Sequence, residues 1–175
     1  MRAVHLITGV VLVATLGLSL YVYPELPERI PLHFAADGTP DRWGARSLLK
    51  WLLLPLIGAA TIGLLYGVAW FLPGRPHLLN MPDKKKLLEL PRPLQDRVLA
   101  AAVAMMYYTA LALAVMFASI QYGAWVSATT GTSSSATVVG IIFALVVMPF
   151  VTIGFLVVIQ RRLDEAWREY RTRSS

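Results

Sequence analysis

ATVVGIIFALVVMPFVTIGFLVVI, which runs from Ala136 to Ile159, contains no charged side chain. A helix needs about 20 mostly apolar residues to cross the hydrocarbon core of a bilayer, and this stretch is long enough. Three more apolar stretches precede it, at about 4–23, 48–72 and 98–122. The sequence therefore predicts an all-α membrane protein with four transmembrane helices in a single domain, 1–175.

The composition agrees with this class. Hydrophobic residues make up 57% of the chain, charged residues make up 15%, and the mean hydropathy is +0.60, which is more apolar than an ordinary soluble domain. Strands of a lipid-facing barrel would alternate polar and apolar residues, and the apolar stretches do not. Their only ionisable residues are His5 and Lys50, each near a helix end. The lack of such groups at mid-depth argues against a proton-coupled transporter.

The first apolar stretch has a second interpretation as a cleaved signal peptide, with Arg2 as its basic end. The residues at its far end, Leu20 to Tyr23, are bulky, whereas a signal peptidase site requires small side chains. We therefore expect a retained first helix.

The glycines of the predicted helices have two interpretations. The first is close packing within the bundle, for which small side chains are suited at Gly58, Gly63, Gly67, Gly140 and Gly154. The second is a dimer face, because Gly63 and Gly67 have the spacing of such a face. We favour packing within the bundle.

Basic residues near helix ends predict the orientation, because they are retained on the cytoplasmic side. Of the 16 Lys and Arg residues, the first loop and the start of the second helix carry Arg29, Arg42, Arg46 and Lys50. The others lie at the N-terminus, in the loop 73–97 and in the tail 160–175. We expect a multi-pass protein of the bacterial plasma membrane with both termini in the cytoplasm and the loop 24–47 outside.

The net charge of +6 follows from this topology, so no nucleic-acid partner is predicted. The basic cytoplasmic segments predict contact with anionic lipid. In the tail, Leu163, Ala166, Trp167 and Tyr170 recur at helical spacing, which indicates a helix lying on the membrane interface. The stretch Lys84–Leu90 predicts a second short interfacial helix, with Leu87, Leu88 and Leu90 in the lipid.

The loop 24–47 is more specific than a polar linker. Ile30, Leu32 and Phe34 alternate with other residues, which predicts a short strand with one apolar face and His33 on the other. Asp37 and Gly38 predict a turn. A second turn is expected at Pro40 and Asp41, closed by Trp43 and Gly44, and Ser47 is expected to cap the second helix. The loop 24–47 should therefore form an ordered cap.

LPERIPLHFAADGTPDRWGARS resembles the signature of the 1648 family of domains of unknown function, whose members are membrane proteins. The residues that match are Pro27, Pro31, His33, Phe34, Gly38, Asp41 and Gly44. The resemblance covers about a third of the chain. Members often have Asn where this chain has Ala35. The family includes immunity proteins against a sporulation-delaying toxin, so the resemblance implies recognition of a peptide or toxin.

Three hypotheses of function follow. The first is binding or sensing of a peptide, toxin or protein partner through the outer loop, whose recognition residues are Pro27, Arg29, Pro31, His33, Phe34, Gly38, Asp41, Arg42, Trp43 and Gly44. The second is a structural or accessory membrane subunit, in which His33 and Asp41 bond to backbone groups and hold the loop. The third is a metal-dependent membrane enzyme that uses His33, Asp37 and Asp41. We favour the first, and we predict neither an enzyme nor a cofactor.

Overall fold

The computed structural model describes residues 1–174 and contains four long helical segments, a β-hairpin and one short helix. In chain order the elements are α1 (Arg2–Val22), β1 (Arg29–Phe34), β2 (Pro40–Ala45), α2 (Leu48–Phe71), α3 (Lys84–Glu89), α4 (Arg92–Thr130), α5 (Ser135–Ile142) and α6 (Met148–Ser174). A π-helical turn, Phe143–Val147, joins α5 to α6. By length and composition, four helices are able to cross a membrane, as predicted.

The first two spans agree closely with the predicted bounds, and the last two are longer. Helix α4 begins at Arg92 and ends at Thr130, several residues beyond the predicted 98–122 at each end. The tail 160–175 was predicted to be a separate interfacial helix, and this is wrong for the described residues, because α6 continues through it to Ser174. The last two spans therefore extend beyond their apolar stretches at the end of the bundle away from the hairpin.

The extended part of α6 packs on protein. Leu163 and Ala166 are buried in one cluster with Val98 and Leu99 of α4. Leu87 of α3 is fully buried in the same cluster, which Leu90 joins. The prediction that Leu87 and Leu90 enter the lipid is therefore wrong, whereas Leu88 is exposed. These leucines instead bury apolar surface where α3, α4 and α6 meet, which stabilises that end of the bundle.

Helix α4 is the centre of the bundle and contacts α1, α2, α5 and α6. Midway along it, Ala110 and Ala114 are buried against Ile62 of α2. Small side chains at such a contact let two helix backbones approach closely, which is the usual source of affinity between helices in lipid.

The packing prediction for the helix glycines is only partly confirmed. A Cβ atom at Gly58 would meet Phe117, and one at Gly140 would meet Ile120. At Gly63, Gly67 and Gly154 a Cβ would meet nothing within 4 Å, so the prediction is wrong for these three.

Pro149 is the second residue of α6 and follows closely after the π-helical turn, which is wider than an α-helical turn. The Met148 amide donates to the carbonyl of Phe143, five residues before it. Proline has no backbone donor and crowds the preceding turn, so a π-helical turn at this point accommodates it. The helix therefore continues through Pro149 by means of a widened turn.

Candidate functional site

The hairpin turn forms as the sequence predicts. Gly38 has a φ of 80°, a left-handed conformation that glycine adopts without strain. Its amide donates to the carbonyl of Ala35 over 2.9 Å, and the Ala35 amide donates to Thr39 over the same distance. A Cβ at Gly38 would also overlap the side chain of Val138. The tip of the hairpin therefore rests on α5, and both the conformation and the contact require glycine.

Asp37 stabilises this turn with its carboxylate. Oδ1 accepts hydrogen bonds from the hydroxyl of Thr39 at 2.6 Å and from its amide at 2.9 Å. The hydroxyl bond, followed by the amide bond, lowers the pKa of Asp37 below its ordinary value. Asp37 is therefore a turn-forming anion at neutral pH.

The predicted second turn at Pro40 and Asp41 is wrong. Pro40–Ala45 is strand β2, which pairs antiparallel with β1. In the register, Trp43 lies opposite Pro31 and Gly44 lies opposite Ile30. Proline is tolerated here because a two-stranded sheet has only edge strands.

The expected apolar face of β1 is also different. The register shifts between Pro31 and His33, which leaves Leu32 without a partner across the sheet. Such a bulge reverses the alternation of side chains beyond it. Ile30 is 1% exposed and Leu32 is 38% exposed, so they do not share a buried face.

The hairpin is attached to the bundle by an apolar contact. Ile30 and Leu26 are buried in a cluster with Trp51 of α2 and with Ala124 and Ala128 of α4. Phe34 is half-buried against this cluster. The hairpin, α2 and α4 therefore meet in one cluster, and the hairpin closes that end of the bundle.

Arg46 makes a second attachment, at the end of α1. Its Nη1 atom donates to the carbonyl of Pro24 at 3.1 Å and to that of Leu26. The Arg46 amide also donates to Glu28 at 2.7 Å. A cation just past a helix C-terminus also complements the partial negative charge of that end of the helix. Ser47 then caps α2, as predicted, by accepting from the Lys50 amide at 3.3 Å.

His33 and Asp41 contact each other on the exposed side of the hairpin. Nδ1 of His33 lies 2.6 Å from Oδ1 of Asp41, and the side chains are 55% and 47% exposed. The expectation that each bonds to the backbone does not describe this contact, which joins side chains of two strands. The pair contains two of the three residues in the metal hypothesis, while Asp37 binds Thr39. Within residues 1–174, no group of three His, Cys, Asp or Glu side chains is placed to hold a metal ion.

The remaining residues of the predicted surface divide by exposure. Pro31 is buried and Gly44 is half-buried under Leu32, so these two shape the hairpin. Arg29, Arg42 and Pro27 are exposed, and Trp43 is half-buried. Among the described residues, neither Arg29 nor Arg42 forms an ion pair or a side-chain hydrogen bond.

A buried polar chain lies beneath the hairpin. The indole nitrogen of Trp51 donates to the Ser19 carbonyl at 2.8 Å, and Gln121 donates to the Trp51 carbonyl at 3.3 Å. It links α1, α2 and α4. A polar side chain such as Gln121 in an apolar stretch favours an interhelical hydrogen bond, whereas the sequence does not distinguish Ser19 or Trp51 as its partners.

The hairpin lies at the centre of a segment that is known from other proteins. Residues 10–59 match DUF1648, a domain of unknown function. The resemblance seen in the loop is thus confirmed, and the DUF1648 segment comprises most of α1, the whole hairpin and the first half of α2.

The chain is also similar to an "Uncharacterized protein" of Archaeoglobus fulgidus, with 40% identity over 67 residues. The match covers 36% of this chain and 36% of the relative. No solved structure matches the chain.

Proposed function

We propose that this protein binds a peptide or protein partner through the exposed side of its hairpin, as a multi-pass protein of the bacterial plasma membrane. The observation that supports this most is the division of the hairpin into two sides. Ile30 is buried in the bundle, while Arg29, Arg42 and the His33–Asp41 pair remain exposed. The exposed side is therefore accessible to a partner while the buried side holds the hairpin in place.

The hairpin is also prepared for binding before a partner arrives. The Asp37 turn, the Arg46 contacts and the Ile30 cluster each restrict its backbone. A surface that is already ordered loses less conformational entropy on binding, so more of the contact energy appears as affinity.

The chemistry of this surface indicates the kind of partner. Arg29 and Arg42 present two guanidinium groups with no acidic partner among the described residues. Arginine forms two parallel hydrogen bonds with a carboxylate, and Trp43 adds an aromatic side chain of the type found at binding hot spots. The partner we propose therefore carries carboxylates beside an apolar group. Immunity to a membrane-active peptide is one form that such recognition would take.

The proposed orientation places this surface outside the cell. The loop and tail at the opposite end carry most of the basic residues, and basic residues stay on the cytoplasmic side. Both termini then lie inside, next to anionic lipid.

A second candidate, a structural or accessory subunit, is supported by the burial of Leu26 and Ile30 under the hairpin. The two functions predict different results for exposed and buried substitutions. Loss of a partner without loss of stability supports recognition.

We expect a photo-crosslinking amino acid in place of Trp43 to form a crosslinked product with a partner in native membranes. The double variant Arg29→Glu, Arg42→Glu should reduce the yield of this product by at least about fivefold. Loss of two ion pairs at exposed positions, each worth up to ~1 kcal/mol, gives this direction and scale. Crosslinker at Trp70, which is exposed on α2, is the matched control. A product at Trp43 that the double variant leaves unchanged, or no product beyond that of the control, contradicts recognition by this surface.

A further inference from the structure

A groove runs between α1 and α4 at the hairpin end of the bundle. Its volume is about 490 Å³, and its walls are mainly apolar. The apolar lining includes Val11, Ala14, Leu18, Val22, Ala118 and Trp125. Leu18 is 61% exposed at its edge, so in a bilayer the groove opens sideways to the lipid.

Four polar residues that line the groove use side-chain donors within the protein. The hydroxyl of Thr15 donates to Val11 at 2.7 Å, and that of Ser19 donates to Thr15 at 2.6 Å. The donors of Trp51 and Gln121 bind backbone carbonyls as described above. The interior therefore suits a chain that has no hydrogen-bonding groups of its own.

The mouth of the groove carries a negative charge. Glu25 lies just past the end of α1 and lines the groove together with the aromatic rings of Tyr21 and Tyr122. Among the described residues, Glu25 forms no ion pair, and Arg46 uses its Nη1 on backbone carbonyls. A carboxylate next to aromatic rings attracts a cationic group at headgroup depth.

We propose that this groove binds one acyl chain of a phospholipid whose headgroup carries an amine, with the ammonium group near Glu25. Phosphatidylethanolamine has this chemistry, and phosphatidylglycerol lacks the amine. The site is set by the end of α1 and does not depend on which face of the membrane the hairpin occupies.

A transmembrane helix of a partner is the alternative occupant of an apolar groove. The carboxylate of Glu25 at the mouth favours a lipid with an amine, because its headgroup reaches that depth whenever an acyl chain fills the groove.

The test is native mass spectrometry of the full chain released from detergent that contains equal amounts of phosphatidylethanolamine and phosphatidylglycerol. We expect one retained lipid, with phosphatidylethanolamine preferred by roughly threefold, the scale of an ion pair at an exposed position. Ala118→Phe fills the groove and should remove the retained lipid. Ala60→Phe on the exposed side of α2 is its matched control and should keep it.

The headgroup is tested separately. Glu25→Gln should retain one lipid and lose the preference, whereas Glu28→Gln, a carboxylate outside the groove, should keep the preference. Equal lipid retention in Ala118→Phe and Ala60→Phe overturns the site. An unchanged preference in Glu25→Gln overturns the amine assignment, and a bound peptide that Ala118→Phe displaces overturns the lipid. Melting temperatures of all four variants in detergent should match the parent, which separates lost binding from lost folding.

Discussion

Replacement of Ile30 by alanine will destabilise the protein by about 2–5 kcal/mol, the usual cost of truncating a buried isoleucine. Ile30 is 1% exposed and joins the hairpin to Trp51, Ala124 and Ala128. The cavity left behind would lie between the hairpin, α2 and α4, where the Arg46 contacts limit relaxation. Reversible unfolding in mixed detergent micelles measures the loss, and trypsin cleavage at Arg29 and Arg42 should become faster because the hairpin detaches more often.

Leu32→Ala is the matched control, since Leu32 lies on the same strand and is 38% exposed. It should cost clearly less than Ile30→Ala and should leave cleavage nearly unchanged. Equal losses of stability in the two variants would contradict the conclusion that the buried contact of Ile30 attaches the hairpin to the bundle.

Gly123→Ala should be the second severe substitution. It should lower the free energy of unfolding by at least about 1–3 kcal/mol because the added methyl group overpacks the contact. A Cβ at Gly123 would lie 2.8 Å from the backbone nitrogen of Thr137 and would overlap the Thr137 hydroxyl. Rotation of a side chain cannot move that nitrogen, so α4 and α5 must separate. The same unfolding assay measures the cost, and the contact of Gly38 with Val138 on α5 should loosen with it.

Gly63→Ala provides the comparison, because a Cβ there meets nothing within 4 Å. Alanine favours a helix by up to about 1 kcal/mol over glycine, so this variant should be neutral or more stable. If Gly63→Ala were as damaging as Gly123→Ala, the close contact of α4 with α5 would not be the cause.

The spans could be predicted from the sequence because an apolar stretch of sufficient length has one economical structure in lipid. The ends of α4 and α6 could not, because they continue where the stretch becomes polar. Leu163 and Val98 stabilise each other there across the two helices. The hydropathy of each segment alone contains no record of that contact.

Part of the candidate site could also be predicted from the sequence, and part could not. The Asp37–Gly38 turn and the Ser47 cap depend on neighbours in the chain, and both are confirmed. Strand β2 was missed because Pro40 and Asp41 are typical turn residues, and only pairing with β1 makes them a strand. The bulge at Leu32 has the same origin, since it depends on the register of two strands.

The contact of His33 with Asp41 shows the same limit on a smaller scale. Both residues were predicted to matter, and the hypothesis of a structural subunit expected each to bond to the backbone. The antiparallel register brings their side chains to 2.6 Å, which no spacing along one strand reveals.

The most direct test of the account is the accessibility of single cysteines in intact bacteria, because the chain has no cysteine of its own. Ala36→Cys lies at the exposed tip of the hairpin, and Lys85→Cys lies at the exposed side of α3. An impermeant maleimide should label position 36 in intact cells and position 85 only after the membrane is permeabilised. Labelling of position 85 alone in intact cells, or of both positions equally, would contradict four spans with the hairpin outside and the basic end inside.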